Sequence, residues 1–277
     1  MDITASTTEL IVLGFALAGA GVIAGLLAGM FGIGGGAVIV PVLAEFLNIL
    51  GVDDDIQMHL AVGTSLCIIV PTSIRSFRAH LKRGVVDMKL LKAWIIPVPL
   101  GVIAASAFAA SASGDTLKIV FAVIAFTLGL RMLVSFDWLR LGSELPGQPW
   151  RTMVGAVVGF LSALMGIGGG VINNTFMTLY GRPIHQAVAT SAGVGALIAI
   201  PGVIGYVLAG WNSPNLPPFS LGFVNLLGVA LVIPVTILAA PIGARLAHRM
   251  SKRHLEAGFG VFLLVVAARF ALGFLDS

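Results

Sequence analysis

Two glycine-rich runs hold the residues of this sequence that could bind a ligand without a charged side chain. The segment GIGGG occurs at residues 32–36 and again at 166–170, and each copy directly precedes a short apolar segment. Because glycine has no side chain, the backbone N–H groups of such a run can approach a ligand closely. If a helix begins there, its unpaired N–H groups and the positive end of its dipole favour an anion. We therefore predict a backbone anion cradle formed by Gly34, Gly35, Gly36, Gly168, Gly169 and Gly170.

Hydroxyl and amide side chains near the glycine runs could add hydrogen-bond donors. The segment AVGTS at residues 61–65 returns as AVATS at 187–191, and two adjacent asparagines follow the second glycine run. The alternative for the hydroxyls is a bond back to their own helix, and the alternative for the glycines is close helix packing. The asparagines correspond to Ile39 and Val40 of the first half, which predicts an asymmetric site. The predicted additional substrate-binding residues are Thr64, Ser65, Asn173, Asn174, Thr190 and Ser191.

The composition indicates that these groups act inside a membrane. The chain has 277 residues, of which 58% are apolar and only 10% are charged. A soluble domain carries about 25% charged residues. A chain this poor in charge excludes a cytosolic enzyme, a nucleic-acid-binding protein and a disordered chain. We therefore use the basic residues behind the net charge of +4 as topology signals.

The sequence predicts neither a metal site, nor a cofactor site, nor an enzyme. The five histidines lie at segment ends or in loops, and the single cysteine, Cys67, lies within an apolar run. Residues 32–37 match a dinucleotide-binding glycine pattern, but an apolar membrane segment precedes them where that motif needs a β-strand. No nucleophile–base arrangement is evident in the sequence.

The glycine runs belong to an internal duplication. FGIGGG at residues 31–36 returns as MGIGGG at 165–170, with an offset of 134 residues. We divide the chain into an N-terminal repeat (1–141), a polar linker (142–150) and a C-terminal repeat (151–277), which together form one transport domain. The other landmarks that repeat in the same order are Gly21, Gly25 and Gly29 with Gly155, Gly159 and Ala163; Pro97 with Pro234; and Arg131 with Arg269.

Basic residues change sides between the two halves. The loop after the third segment is basic in the first half, whereas its counterpart, GWNSPNLPPFS, has no charge. The next loop is nearly neutral in the first half and basic in the second. Because Lys and Arg mark the cytoplasmic side, we predict two inverted repeats of five segments each, with both termini on the periplasmic side. The basic residues of these loops are Arg75, Arg78, Lys82, Arg83, Lys89 and Lys92 in the first half and Arg245, Arg249, Lys252 and Arg253 in the second.

Some of the apolar segments are too short to cross a membrane. The segment at 170–180 would extend about 16 Å as a helix, against a hydrocarbon core of about 30 Å. Non-helical backbone at membrane depth needs protein or a wet cavity around it. We therefore predict an all-α polytopic membrane protein whose broken, re-entrant helices bring the GIGGG tips together near the midplane. The apolar segments cover residues 10–30, 36–50, 59–74, 91–110, 117–136, 153–165, 170–180, 186–208, 222–247 and 255–274.

The paired motifs resemble those of the TauE/SafE family of sulfite and organosulfonate exporters. The resemblance rests on two GIGGG blocks, the first of them within GIGGGAVIVPVL, each followed by an A-V-x-T-S segment, and it covers about residues 10–275. It implies an inner-membrane carrier of small sulfur oxyanions in a bacterium or archaeon. The second half departs from the pattern, because Thr175 stands where Pro41 stands in the first half.

These observations together predict a secondary transporter that exports sulfite, sulfoacetate or another organosulfonate by alternating access. The predicted partners are a small anionic substrate and membrane lipid, without nucleic acid. The alternatives are an anion-selective channel and a carrier of a non-sulfur carboxylate. The sequence leaves open the identity of the anion, the direction of transport, the coupling ion, the oligomeric state and any transport role of Glu45, Arg75, Arg131 and Arg269.

Overall fold

The chain is helical almost throughout the part that the computed structural model describes, which comprises residues 15, 18–19, 21–27, 30, 36–134, 141–247 and 252–273. A helical stretch covers residues 21–27, and one antiparallel ribbon pairs β1 (Ser220–Leu221) with β2 (Val224–Asn225). The helices are α1 (Gly36–Ile49), α2 (Asp54–Lys82), α3 (Met88–Ala93), α4 (Pro97–Ser111), α5 (Gly114–Leu133), α6 (Trp150–Leu164), α7 (Gly170–Leu179), α8 (Ile184–Ala209), α9 (Leu226–Ala247) and α10 (Lys252–Gly273).

Helix length and surface character confirm the predicted all-α polytopic membrane fold. Among the described residues, α2, α5, α8 and residues 256–273 of α10 are long and apolar enough to span a membrane. Large apolar side chains lie exposed every three or four residues along α5. Such a stripe suits a lipid-facing surface and would be a liability in water. The exposed residues of this stripe are Ile119, Val123, Phe126 and Leu130.

Two central helices, α2 and α8, form the core of the molecule. Residues 56–66 of α2 are all buried, and so are residues 189–195 of α8, which means that other helices surround both segments. The short helices α1 and α7 pack beside them, so the helices that begin at Gly36 and Gly170 both lie against this core.

Glycines allow the outer helices to approach closely. A Cβ atom at Gly159 of α6 would overlap the Val98 carbonyl group of α4, and one at Gly243 of α9 would overlap the Leu26 carbonyl group of the helical stretch 21–27. Small residues at such contacts are typical of membrane helix packing. Gly155 and Gly159, which belong to the repeated small-residue landmarks, form the glycine ladder of α6 and lie at its contact with Trp94, Pro97 and Val98.

Several basic residues predicted to lie in the loop after the third apolar segment lie on helix α2 instead. The helix has 29 residues and is about 44 Å long, which exceeds the hydrocarbon thickness. Arg75, Arg78 and Lys82 therefore lie on its last two turns rather than in a loop. The apolar pattern ended at Ile74 because the helix leaves the hydrocarbon there, although the backbone hydrogen bonds continue.

The predicted segment 91–110 is split in two. The chain turns at Trp94, Ile95 and Ile96 between α3 and α4, and Pro97 occupies the first position of α4, where its missing N–H removes no helical bond. Trp94 is fully buried at this turn and donates from Nε1 to the Arg151 carbonyl oxygen at 2.9 Å. This bond fixes the start of α4 to the start of α6.

Candidate functional site

The second glycine run forms a tight turn that separates α6 from α7. The N–H of Gly166 donates to Ala163 O at 3.3 Å, and the N–H of Ile167 donates to Ser162 O at 2.9 Å, which together form a Schellman motif. Gly166 and Gly169 have φ values of +62° and +71°, in the left-handed region that favours glycine. The sequence MGIGGG thus ends one helix and starts the next, with five residues between α6 and α7.

The first helix of the other half packs directly on this tip. A Cβ atom at Gly36 would overlap the Gly166 carbonyl oxygen, and the Ser65 hydroxyl donates to the same oxygen at 2.8 Å. Gly36 and Ser65 of the first half therefore contact the second glycine run. Gly34 and Gly35 lie outside the described residues.

The start of α7 presents backbone donors in a buried setting. Gly168, Gly169 and Gly170 are all buried, and α7 begins at Gly170 after Gly169 as its N-cap. The first-turn N–H groups of a helix have no acceptor within that helix. A Cβ atom at Gly169 would lie 2.6 Å from Ile198 Cδ1 and 3.4 Å from Ser162 Oγ. A side chain at Gly169 would therefore clash with Ile198, so this position requires glycine.

Asn173, Asn174 and Ser191 form one hydrogen-bonded group. Nδ2 of Asn173 donates to the Ser191 hydroxyl at 2.6 Å, and that hydroxyl donates to Oδ1 of Asn174 at 2.7 Å. Asn173 is fully buried, and its Oδ1 has no hydrogen-bond partner within the described part of the chain. Turning the amide over would leave Nδ2 in that position instead, because the Ser191 contact uses the other atom. In the first orientation the unpartnered atom is an acceptor, which suits a water molecule. Only the turned amide, with the Ser191 hydroxyl donating to Asn173 Oδ1 instead, presents a donor to an anion.

Thr64 and Thr190, the threonines of the repeated A-V-x-T-S segments, each form a hydrogen bond with a loop of the opposite half. Thr64 Oγ1 accepts from the Asn225 N–H at 2.9 Å, and Thr190 Oγ1 accepts from the Asp87 N–H at 2.9 Å. Asp87 Oδ1 accepts from the N–H groups of Lys89 and Leu90 at the start of α3. Asn225 Oδ1 similarly accepts from the Gly228 N–H at the start of α9. Each threonine therefore fixes the residue that caps a helix of the other half.

Arg131 and Arg269, which occupy equivalent positions in the two halves, each contact a short helix of the opposite half. Arg131 of α5 donates to the Thr175 hydroxyl on α7, and Arg269 of α10 pairs with Glu45 on α1 at 3.4 Å. The Glu45 and Arg269 side chains are more than half exposed, so in water their pair would contribute little. Arg131 is half-buried and brings a positive charge to the residue that follows Asn174.

Sequence reasoning missed three polar residues at these contacts. Ser162 lies four residues before Gly166 in an otherwise apolar stretch, and its Oγ is buried. Asp87 and Asn225 share the 138-residue offset of Arg131 and Arg269, so the same comparison of halves could have paired them.

Comparison with known proteins gives the chain a family context. The family model described as "Sulfite exporter TauE/SafE" matches residues 17–270. A Haemophilus influenzae protein named "Probable membrane transporter protein" is 33% identical over 248 residues, covering 89% of this chain and 94% of the relative.

More distant relatives carry the same kind of name. A probable membrane transporter protein of Methanocaldococcus jannaschii is 28% identical over 85% of this chain and 87% of its own length. Another, YunE of Bacillus subtilis, is 25% identical over 90% of this chain and 94% of its own length. No solved structure matches the chain.

Proposed function

The chain belongs to the sulfite exporter TauE/SafE family and is a membrane transporter, and from this premise we propose that it exports small sulfur oxyanions by alternating access. The proposed substrates are sulfite, sulfoacetate and other organosulfonates. The observation that carries the proposal is the start of α7, where buried backbone donors lie beside a buried amide atom of Asn173 that has no protein partner in the described part of the chain.

The chemistry of this place suits an oxyanion. The first-turn N–H groups and the dipole of α7 provide about half a positive charge at its N-terminus. The amide of Asn173 can add a hydrogen bond, and Gly168–Gly170 keep side chains out of the way. Because these donors carry no full charge, they would bind the anion by hydrogen bonds and still release it.

Reciprocal contacts support the proposal of two inverted repeats. Thr64 meets the Asn225 cap, and Thr190 meets the Asp87 cap. The α6 glycine ladder packs on α4, and α9 packs in turn on the helical stretch 21–27. Two repeats related by a two-fold axis in the membrane plane would produce such matched contacts, and alternating access would then tilt one set of elements against the other.

The proposed location is the inner membrane, with both termini on the periplasmic side. Arg75, Arg78 and Lys82 cluster at one end of α2, whereas the segment between α8 and α9 has no Lys or Arg. The positive-inside rule assigns the first end to the cytoplasm.

Thr64 and Thr190 are proposed to act chiefly as contacts between the halves. Both hydroxyls already accept a backbone N–H, and Thr190 also donates to Gln186 O at 2.7 Å. Ser65 and Ser191 already donate their hydroxyl protons, to the Gly166 carbonyl oxygen and to Asn174 Oδ1, so they are proposed to position the glycine run and the asparagines. The asparagine amides remain the proposed side-chain donors.

Transport by reconstituted protein tests the proposal. Proteoliposomes loaded with radiolabelled sulfite or sulfoacetate should release label at a rate that saturates with internal anion concentration. External unlabelled anion should accelerate release, because a carrier exchanges substrate across the membrane. The Asn173→Ala variant should lower the rate about tenfold at subsaturating anion, since a hydrogen bond to a charged group contributes about 1.5–3 kcal/mol. The matched control is Asn48→Ala, which changes an exposed asparagine on α1.

The alternatives give different results in the same vesicles. A channel would release label without saturation and without acceleration by external anion. A carboxylate carrier would exchange acetate in preference to every sulfur oxyanion. Either result would contradict the proposed substrate class or mechanism.

A further inference from the structure

Ser162 is a buried serine beside the second glycine run, and it is not one of the residues that repeat between the two halves. We infer that Ser162 of α6 binds the transported anion at the second glycine run. This inference rests on the proposed function, because it names a residue that would recognise the substrate of the same site.

The Ser162 hydroxyl is completely buried without a partner. Its Oγ has no hydrogen bond within the part of the chain that the structure describes, and the residue is 0% exposed. A serine inside a helix can usually bond back to a carbonyl of the preceding turn. Leaving a buried hydroxyl unpaired costs about 1–3 kcal/mol, so an orphan of this kind needs an explanation.

The position of the hydroxyl points to the start of α7. Ser162 Oγ lies 3.4 Å from the place that a Cβ atom on Gly169 would take, and Gly169 is the N-cap of α7. An anion held by the first-turn N–H groups of α7 would therefore come within reach of a donor on α6. The two arms of one re-entrant hairpin would then bind one ligand.

Asn173 of α7 provides a second buried polar atom near the start of that helix. It occupies the second turn of α7, and one of its amide atoms also lacks a protein partner among the described residues. Ser162 and Asn173, on the two helices that the second glycine run joins, therefore each have one unpartnered polar atom near the start of α7. A small oxyanion could accept from the Ser162 hydroxyl, from the backbone donors and, when the amide is turned over, from Asn173 Nδ2.

The sequence of the first half lacks the polar side chains of this site. Ala28 stands where Ser162 stands in the second half, and Ile39 and Val40 stand for the two asparagines. Ile39 and Val40 are buried, and Val40 Cγ2 lies 2.8 Å from the place that a Cβ atom on Gly166 would take. The first turns of α1 therefore pack on the second glycine run, and the polar ligands are confined to one side.

Binding by purified protein tests the inference. Ser162→Ala should raise the dissociation constant for sulfite and sulfoacetate about tenfold, as expected for a lost hydrogen bond to an anion. The unliganded melting temperature of the variant should equal or exceed that of the wild type, because the variant removes an unpaired buried hydroxyl. The matched control is Ser106→Ala. Ser106 Oγ is also buried and has no hydrogen-bond partner in the described region, but it faces Gly205 of α8 rather than the second glycine run.

The outcomes separate this inference from the proposed function. Weaker binding in Ser162→Ala with unchanged binding in Ser106→Ala supports the inference. Unchanged binding in Ser162→Ala, together with weaker binding in Asn173→Ala, overturns the role of Ser162 and leaves the proposed function standing. If the wild-type protein binds none of sulfite, sulfoacetate, taurine and acetate, both the inference and the proposed function fail.

Discussion

Single glycines set the distances at which the two halves meet. At Gly36 the neighbouring atom is the Gly166 carbonyl oxygen, which belongs to the backbone and cannot rotate away as a side chain can. A methyl group at this position must therefore move a backbone segment. The repeated sequence predicted that the tips would meet, but spacing alone could not show that Gly36 contacts Gly166.

The Gly36→Ala substitution should destabilise the folded protein. Overpacking in a tight core costs about 1–3 kcal/mol, so the apparent melting temperature in detergent should fall by several degrees. Gly258→Ala is the control, because Gly258 is helical with no atom within 4 Å of its Cβ position. That control should keep or slightly raise the melting temperature, since alanine favours helix over glycine. Equal stability of Gly36→Ala and wild type would contradict the close contact between the tips.

Residue types in the sequence single out the polar side chains of the second half, but their contacts required coordinates. Asn173 and Ser191 form the network that adjacent amides in an apolar helix require. Ser162 was missed because a lone serine in a membrane helix usually has a local partner, and only the structure shows that this one has none.

At the scale of elements, short helices were more predictable than long ones. The glycine runs and the breaker Gly181 fix α7 at Gly170–Leu179, close to the predicted 170–180, and α1 likewise begins at Gly36 as predicted. The end of α2 at Lys82 was not predictable from hydropathy, because a helix that leaves the membrane continues with polar residues.

The threonine contacts between helices and caps should contribute unequally to stability. Thr64→Val leaves the N–H of buried Asn225 without its acceptor, which should cost about 1–3 kcal/mol. Thr190→Val should cost less, because Asp87 is half-buried and water can replace the lost acceptor. Thermal unfolding of both variants measures the difference, with Thr127→Val as the control, since Thr127 is exposed on α5 and bonds only to Val123 O of its own helix.

The same variants separate a structural role from a ligand role. If Thr64 chiefly braces the two halves, Thr64→Val should lower stability while the shift caused by a bound anion stays the same size. A Thr64→Val protein with wild-type stability and no response to anions would instead make Thr64 a substrate ligand.

At the scale of the whole molecule, the charge pattern predicts that the two halves are inverted. The fold class followed from composition and segment length, whereas matched contacts such as Thr64 with Asn225 and Thr190 with Asp87 required coordinates. Those contacts join residues more than 100 positions apart, and no local pattern in the sequence specifies them.

Cysteine labelling tests the inversion directly. In a Cys67→Ser background, Val85→Cys and Asn212→Cys place single exposed thiols after the third segment of each half. A membrane-impermeant maleimide applied to intact spheroplasts should label Asn212→Cys but label Val85→Cys only after the cells are broken. Labelling of both thiols from the same side would contradict inverted repeats and the proposed alternating access.

The most direct test of the central claim is anion-induced thermal stabilisation of the purified protein. A ligand that binds only the folded state raises the melting temperature in a concentration-dependent way. The account predicts that sulfite or an organosulfonate raises it selectively over sulfate, thiosulfate and acetate, and that Asn173→Ala loses this response while Asn48→Ala keeps it. A response of Asn173→Ala equal to that of the wild type, or no response of the wild type to any of these anions at millimolar concentration, would contradict an anion site at the start of α7.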